Sequence, residues 1–513
     1  VPAPADASST PRALELVVLV GAVLGGVVLR LVTHSDLWLD EALSANIAAL
    51  PLADLPDALR QDGHPPLYYV LLHAWMSVVG EGDAAVRALS GLLSVATLPV
   101  LGVMALRRRG LLAALWTVVL AALLPYATRY GTEARMYALV MLLVAVGWWL
   151  LDDVVRHGRW ASLLGTWLVA VLLLYTHYWS VWILGTTGIL LLLLWWRGAT
   201  PEVRRGAARG AGALVAAGVA FLPWVPIMLD QLERTGTPWG DPQRPTMSVS
   251  IALLDFAGGG VITEAIVGAV LLALLLVLGL TGVPRPPWSI ELDLRTVPGV
   301  RLDVAVAVGA LVVGTTVTWL SGATFASRYA AISMPVLLVA AGVGVTAAPR
   351  RLAVALGGVV ALVFAVVAVA GALEERTQGG DAAAAILSGA APGDVVLVCP
   401  DQLGPALSRG LASGPDLEVL TYPTLAGPER VDWRDYGERN EAADPAAIAA
   451  EVGERAEGGT IWLVWMGGYA TYDTQCEEVR DLLASEGLLE TVVAARPAEV
   501  FEPMWVERIA PAP

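Results

Sequence analysis

The chain of 513 residues contains no lysine, so arginine supplies every basic side chain apart from five histidines. Charge of either sign is scarce, 15% of residues against 56% hydrophobic. That balance excludes an ordinary soluble globular chain. With only two cysteines, a disulfide-dense scaffold is excluded as well. There is no glycine fingerprint for a nucleotide. Nor is there a basic surplus to meet nucleic-acid phosphates. From Ala372 onward nine arginines face 25 carboxylates, while the preceding part, with 23 arginines and 22 carboxylates, is nearly neutral. An acidic tail is thus joined to a neutral, apolar body.

Long uncharged runs are abundant: Leu111 to Leu124, Leu163 to Leu174 and Val304 to Leu320. They read as membrane spans. About eleven are expected, at 12–33, 84–106, 111–127, 135–151, 161–178, 180–196, 211–229, 261–280, 303–320, 329–347 and 352–372. The first has neither a charged n-region nor a cleavage site before it and reads as a retained span. Arginines gather at alternate ends: Arg107 to Arg109, Arg156 with Arg159, Arg197 with Arg204, Arg205 and Arg209, then Arg285, Arg295 and Arg301, then Arg350 with Arg351. The positive-inside rule makes these ends and the N-terminus cytoplasmic in a multi-pass plasma-membrane protein. It places 34–83, 128–134, 230–260, 321–328 and everything after 373 outside. Leu67 to Val79 is apolar but short, and spanning would invert every later loop; it reads as a helix lying in the outer interface. The tail mixes strand-like runs, Asp394 to Cys399 and Thr460 to Trp465, with an amphipathic Thr474 to Ser485. The expected organisation is a membrane domain over 1–374 and a small extracytoplasmic α/β domain over 375–513. Cys399 and Cys476 both fall in that domain, where a disulfide is chemically allowed and two separate thiols equally so.

The span centres carry almost no ionisable residues, Glu264 being the nearest exception. Ion-coupled transporters usually need such groups at mid-membrane. Polar chemistry is instead gathered on the outer face. Asp40 and Glu41 follow Trp38 just beyond the first span; a carboxylate there can accept a proton or bind a divalent cation, or simply favour the positive end of a helix running through Ala42 to Leu50. Gly63-His64-Pro65-Pro66 reads as a helix start. His64 at its mouth could bond a phosphate or a sugar hydroxyl, or only a local backbone group. Arg129-Tyr130-Gly131-Thr132-Glu133-Ala134-Arg135-Met136-Tyr137 and Ser327-Arg328-Tyr329 bring arginines and phenols to the same face; such arginines clamp phosphates or snorkel to headgroups. The loop from Asp230 to Ser250, with Arg234, Trp239 and Arg244, could cover a site or be plain surface. Tyr175 to Trp179 reads as an aromatic belt.

The order of these features (a first span, Asp40-Glu41, an interfacial helix opening at His64-Pro65-Pro66, Arg87 leading the next span) resembles the GT-C superfamily of polytopic glycosyltransferases. The nearest branch is the family 39-like one, which includes protein O-mannosyltransferases and the lipid A aminoarabinose transferase. The resemblance is carried by residues 12–140, extends to about 372 through Arg328-Tyr329, and does not cover the tail. It implies a GT-C fold and transfer of a sugar, mannose first and arabinofuranose second, from a polyprenyl-phosphate donor to an envelope glycan, lipid or protein, with inversion. It implies Asp40 as general base, with Glu41 and His64 in support, and Arg135, Arg328, Tyr137 and Tyr329 on the donor phosphate. Relatives often carry an aspartate shortly after an Arg-Tyr in the loop before span four. Here Glu133 and Ala134 follow Arg129-Tyr130, which opens the acid or metal role of Glu133 to question. No cofactor is demanded; a divalent cation is the one candidate. The rival readings are a lipid-linked glycan flippase and a glycan-binding assembly protein.

Overall fold

The computed structural model describes residues 12–237, 240–259, 263–285, 288–295, 298–412 and 414–511. It divides into two compact units. One gathers the chain up to Thr33, Arg87–Pro226 and Pro242–Leu373; the other gathers His34–Val86, Ile227–Asp241 and Glu374–Pro513.

The first unit is a helical membrane bundle. Among the described residues eight helices are long and apolar enough to cross a bilayer, from Ala13–Leu31 to Arg350–Leu373, and the broken pair Leu111–Leu123 and Pro125–Gly131 makes a ninth. Two of the eleven expected spans are shorter than a crossing. Trp160–Thr176 has 17 residues, and the expected 329–347 resolves into a 3-10 turn, Ser327–Ile332, followed by the 12-residue helix Met334–Val345. Every residue of that last helix is buried, so its all-round apolar sequence marks a bundle core. Its glycines let neighbours approach at backbone distance. A Cβ on Gly344 would strike Leu275 O, and one on Gly342 would strike Thr117, the small-residue packing used between membrane helices. Lipid-facing positions stay apolar, as with Val17, Val20, Leu24 and Val28 of the first helix.

The break at Leu124–Pro125 turns the chain by 55°. Proline at 125 cannot donate to the preceding turn. Arg30, fully buried, fills in: its guanidinium donates to Ala121 O at 2.8 Å, to Ala122 O at 2.6 Å and to Ser94 Oγ at 2.8 Å. At another bundle end Arg108 grips Asp303 through two nitrogens, at 2.8 and 3.0 Å, and Asp152 at 2.9 Å. Basic clusters there are paired with acids that the positive-inside count leaves out.

The second unit is built on a five-stranded sheet, in the order Glu418–Thr421, Val395–Cys399, Ile461–Trp465, Trp505–Pro511, Gly487–Val493. The first three strands are parallel and the last two pair antiparallel. Alternate residues of Val395–Cys399 enter two cores. Val396 and Val398 pack with Ile386, Leu407 and Trp462; Leu397 and Cys399 pack with Leu463, Tyr436 and Val479. Cys399 and Cys476 are joined by a disulfide. Trp38 and Leu39 are members of the second core, so the segment after the first span belongs to this unit as much as the tail does. Leu67–Val79 is a helix, but Pro66 caps it and Leu67 opens it; the two prolines precede the helix rather than forming its first turn.

Candidate functional site

In the sheet-bearing unit, Asp40 and Glu41 sit in the first turn of the helix Leu39–Ala48. Both are buried, at 8% and 0% exposure. Trp38, the cap residue, offers no side-chain hydrogen bond to the helix start. The segment following the last span supplies Arg376, 2% exposed, whose Nη1 lies 3.5 Å from Glu41 Oε2. The Arg376 N–H donates to Ser35 Oγ at 2.8 Å. A third carboxyl comes from the far end of the chain: Glu502 Oε1 accepts the Leu39 N–H at 3.3 Å. Its own backbone bonds Arg376 O and the Gln378 N–H. Burial, reinforced by the charges of Asp40 and Glu41, pushes the Glu502 carboxyl up to about 8, against hydrogen bonds from Thr377 and Leu39. It is a neutral acid at pH 7. Tyr469, beyond the strand Ile461–Trp465, lies within electrostatic reach of Asp40, Asp401 and Glu502, and burial raises its phenol.

Asp401 opens a second buried network. It accepts the hydroxyls of Tyr436 and Tyr472, at 2.5 and 2.9 Å, and Gln402 Nε2 donates to Tyr436 at 3.0 Å. Burial pushes its carboxyl up to about 6 despite those bonds.

His64 belongs to the same unit, in a different constellation. Its Nδ1 is 2.9 Å from Asp62 Oδ2, which also accepts the Tyr69 hydroxyl at 2.5 Å. Gly63, at φ +84°, closes the helix Leu55–Asp62 in the left-handed conformation and turns the chain toward His64. Arg234 ends the helix Val225–Arg234; it pairs with Asp230 at 3.4 Å, and its carbonyl accepts the Asp435 N–H at 2.8 Å. Trp239 lies outside the described residues. Arg244, in the other unit, caps the helix Pro245–Phe256 and is exposed.

Within the bundle the two arginine-tyrosine motifs meet. Arg135 and Tyr137 are buried at the start of the helix Tyr137–His157. Tyr137 packs on Tyr130 and on His177, and His177 packs on Tyr329, with ring centroids 5.0, 5.6 and 5.4 Å apart. Tyr329 stacks on Trp179 at 5.2 Å. The Tyr126 hydroxyl donates to Arg328 O at 2.9 Å. Glu133 is held by Arg129, 3.2 Å away. Asp255 accepts hydrogen bonds from Ser327 and Tyr130 and faces the guanidinium groups of Arg129 and Arg328. Two guanidinium groups, phenols and an imidazole meet here, with Asp255 and Glu133 set against the arginine charge. Among the described residues no three His, Cys, Asp or Glu side chains are arranged to hold a metal ion.

Sequence reasoning did not single out Arg376, Glu502, Asp62 or Asp255, and it assigned His177 to a belt. Only Arg376 carries a local signal, an arginine just past the last span.

No protein-family model and no curated protein matches the chain. Solved structures do. ArnT from Cupriavidus metallidurans in the apo state superposes with a TM-score of 0.61 at 11% identity, over 96% of this chain and 97% of that one. ArnT bound to undecaprenyl phosphate gives 0.56 at 13%, over 97% and 98%. The mycobacterial arabinofuranosyltransferase AftD gives 0.54 at 16%, over 99% of this chain but 40% of its own. The chain is a multi-pass membrane protein with the GT-C fold. Its structural neighbours are GT-C proteins, the lipid A aminoarabinose transferase ArnT among them.

Proposed function

We propose that the protein is an inverting membrane glycosyltransferase that moves a sugar from a polyprenyl-phosphate donor to a hydroxyl of an envelope glycan, lipid or protein. The observation that carries this reading is the likeness to ArnT over nearly the whole of both chains, one of whose structures holds undecaprenyl phosphate. Asp40 takes the proton of the acceptor hydroxyl as its oxygen attacks the anomeric carbon. The bond from that carbon to the phosphate oxygen breaks, and its electron pair leaves with the polyprenyl phosphate. Arg135 and Arg328, with Tyr137 and Tyr329, stabilise the charge that develops there. Glu41 and His64 support the base. The arginine distribution supports a cytoplasmic N-terminus and an outer C-terminal domain, and the Cys399–Cys476 bond suits an oxidising outer compartment.

The test is a transfer assay with purified protein and a panel of polyprenyl-phosphate sugars, mannose first and arabinofuranose second. One donor is expected to turn over, and Asp40→Asn to lower kcat by about 10²–10⁴. Undiminished turnover by Asp40→Asn would remove the base assignment, and silence with every donor would remove the activity.

A further inference from the structure

We propose that Glu502 and Arg376 are positioning residues of the transfer reaction: the C-terminal segment caps the helix that carries Asp40 and Glu41 and fixes their carboxylates. The proposal rests on the glycosyltransferase reading above. A helix start leaves its first amides without intrahelical acceptors, and normally the residue before it supplies an oxygen. Trp38 has none to give. Glu502 Oε1 takes the Leu39 N–H in its place, and Arg376 neutralises Glu41 two residues further on. The two positioning residues are themselves locked together through the Glu502 N–H to Arg376 O bond at 2.8 Å. A site atom holds its geometry only when its supports are locked in this way.

The electrostatics make the same point. Asp40, Glu41 and Glu502 bring three carboxyls to one buried place. Carboxyls gathered out of water oppose one another's ionisation. Burial and the charges of Asp40 and Glu41 together favour the protonated form of Glu502. The groups facing Glu502 are Asp40 and Glu41 on the helix, Arg376 and Thr377 after the last span, and Tyr469 after the third strand. When Glu502 ionises, it repels both site carboxylates and the helix start loosens.

The experiment uses the full-length protein in lipid nanodiscs and follows amide exchange at residues 39–44 together with transfer kinetics. Glu502→Ala is expected to accelerate exchange there about tenfold or more, and to lower kcat about 10–100-fold while donor KM moves less than about twofold. Glu502→Gln, which keeps the acceptor oxygen without a titrating proton, is expected to restore protection and most of the rate. Wild-type kcat is expected to fall as pH rises through about 8, and that limb is expected to vanish in Glu502→Gln. Unaltered exchange in Glu502→Ala, or an alkaline limb unmoved in Glu502→Gln, overturns the proposal. If Glu502→Ala fails to accumulate, exchange at pH 7 against pH 9 in wild type and Glu502→Gln decides in its place. Absence of turnover with every donor would sink the transferase reading alone, because exchange still decides the cap.

Discussion

Asp401 and Asp40 are both buried aspartates in the sheet-bearing unit, yet their surroundings prepare them for different fates. Asp401 is enclosed by tyrosine hydroxyls, and burial raises its carboxyl to about 6. The unfolded carboxyl titrates near about 4, so the folded state binds this proton more tightly. The stability it contributes is fully present below about pH 4 and is lost as pH rises through about 6. Glu502 adds a slope of the same sign up to about 8. Thermal melting of the detergent-solubilised protein at pH 5 and pH 7 is expected to show the higher midpoint at pH 5. Asp401→Asn should flatten part of that difference; an unchanged difference would mean the residue does not titrate in this window. At this scale the sequence was legible where polar residues cluster locally, as in Arg129 to Tyr137. It was silent on Glu502, because one glutamate among the tail's 25 acids carries no mark of a partner 463 positions away. Asp255 escaped for a related reason: a lone acid in the last turn of a helix carries no mark of Arg129 and Arg328, which the fold sets facing it.

Among the helices, apolar runs located most crossings to within a few residues, because length and hydropathy are physical requirements of the bilayer. The expected 211–229 is an exception, since its helix begins at Pro201, with an arginine-rich first half that hydropathy passes over. Central helices were harder to read. Met334–Val345 is as apolar as a span but too short for one, and only its burial against the glycine contacts explains it. Gly344 lies where a side chain would meet the backbone of Leu275. Gly344→Leu is therefore expected to lose several kcal/mol through overpacking, read as a lower melting temperature and poor recovery from the membrane. Gly358→Ala is the control: nothing stands within 4 Å of its added Cβ, and no loss is expected. Equal behaviour of the two variants would mean that the close approach does not matter. The 3-10 turn Ser327–Ile332 could not be read ahead of time, since its residues carry no break signal until Tyr126 is seen bonding Ser327 O and Arg328 O.

For the molecule as a whole, the membrane body and the acidic tail were evident from composition. That residues 34–86 share a unit with 374–513 was not, because Trp38 and Leu39 looked like ordinary post-span residues and turn out to be part of a core with Leu397, Leu463 and Cys476. The consequence for truncation is direct. Ending the chain at 374 strips Trp38 and Leu39 of their packing and Leu39 of its carboxyl acceptor. Such a protein is expected to lose protease resistance across 34–86 and to be inactive in transfer, while the helices of the bundle still insert. A truncated protein that kept both resistance and turnover would show that the segment 34–86 folds by itself.

The bond from Leu39 to Glu502 also has a meaning in time. Synthesis delivers the helix start long before its cap: the 463 residues between them take roughly 20–90 s to translate at ~5–20 residues per second. Throughout that interval the Leu39 N–H at the helix start is without its carboxyl acceptor. The helix that carries Asp40 is therefore capped only after the strands Val395–Cys399 and Ile461–Trp465 have been made. By then every helix of the bundle has been synthesised, so capping of this helix start comes after the bundle in the order of synthesis.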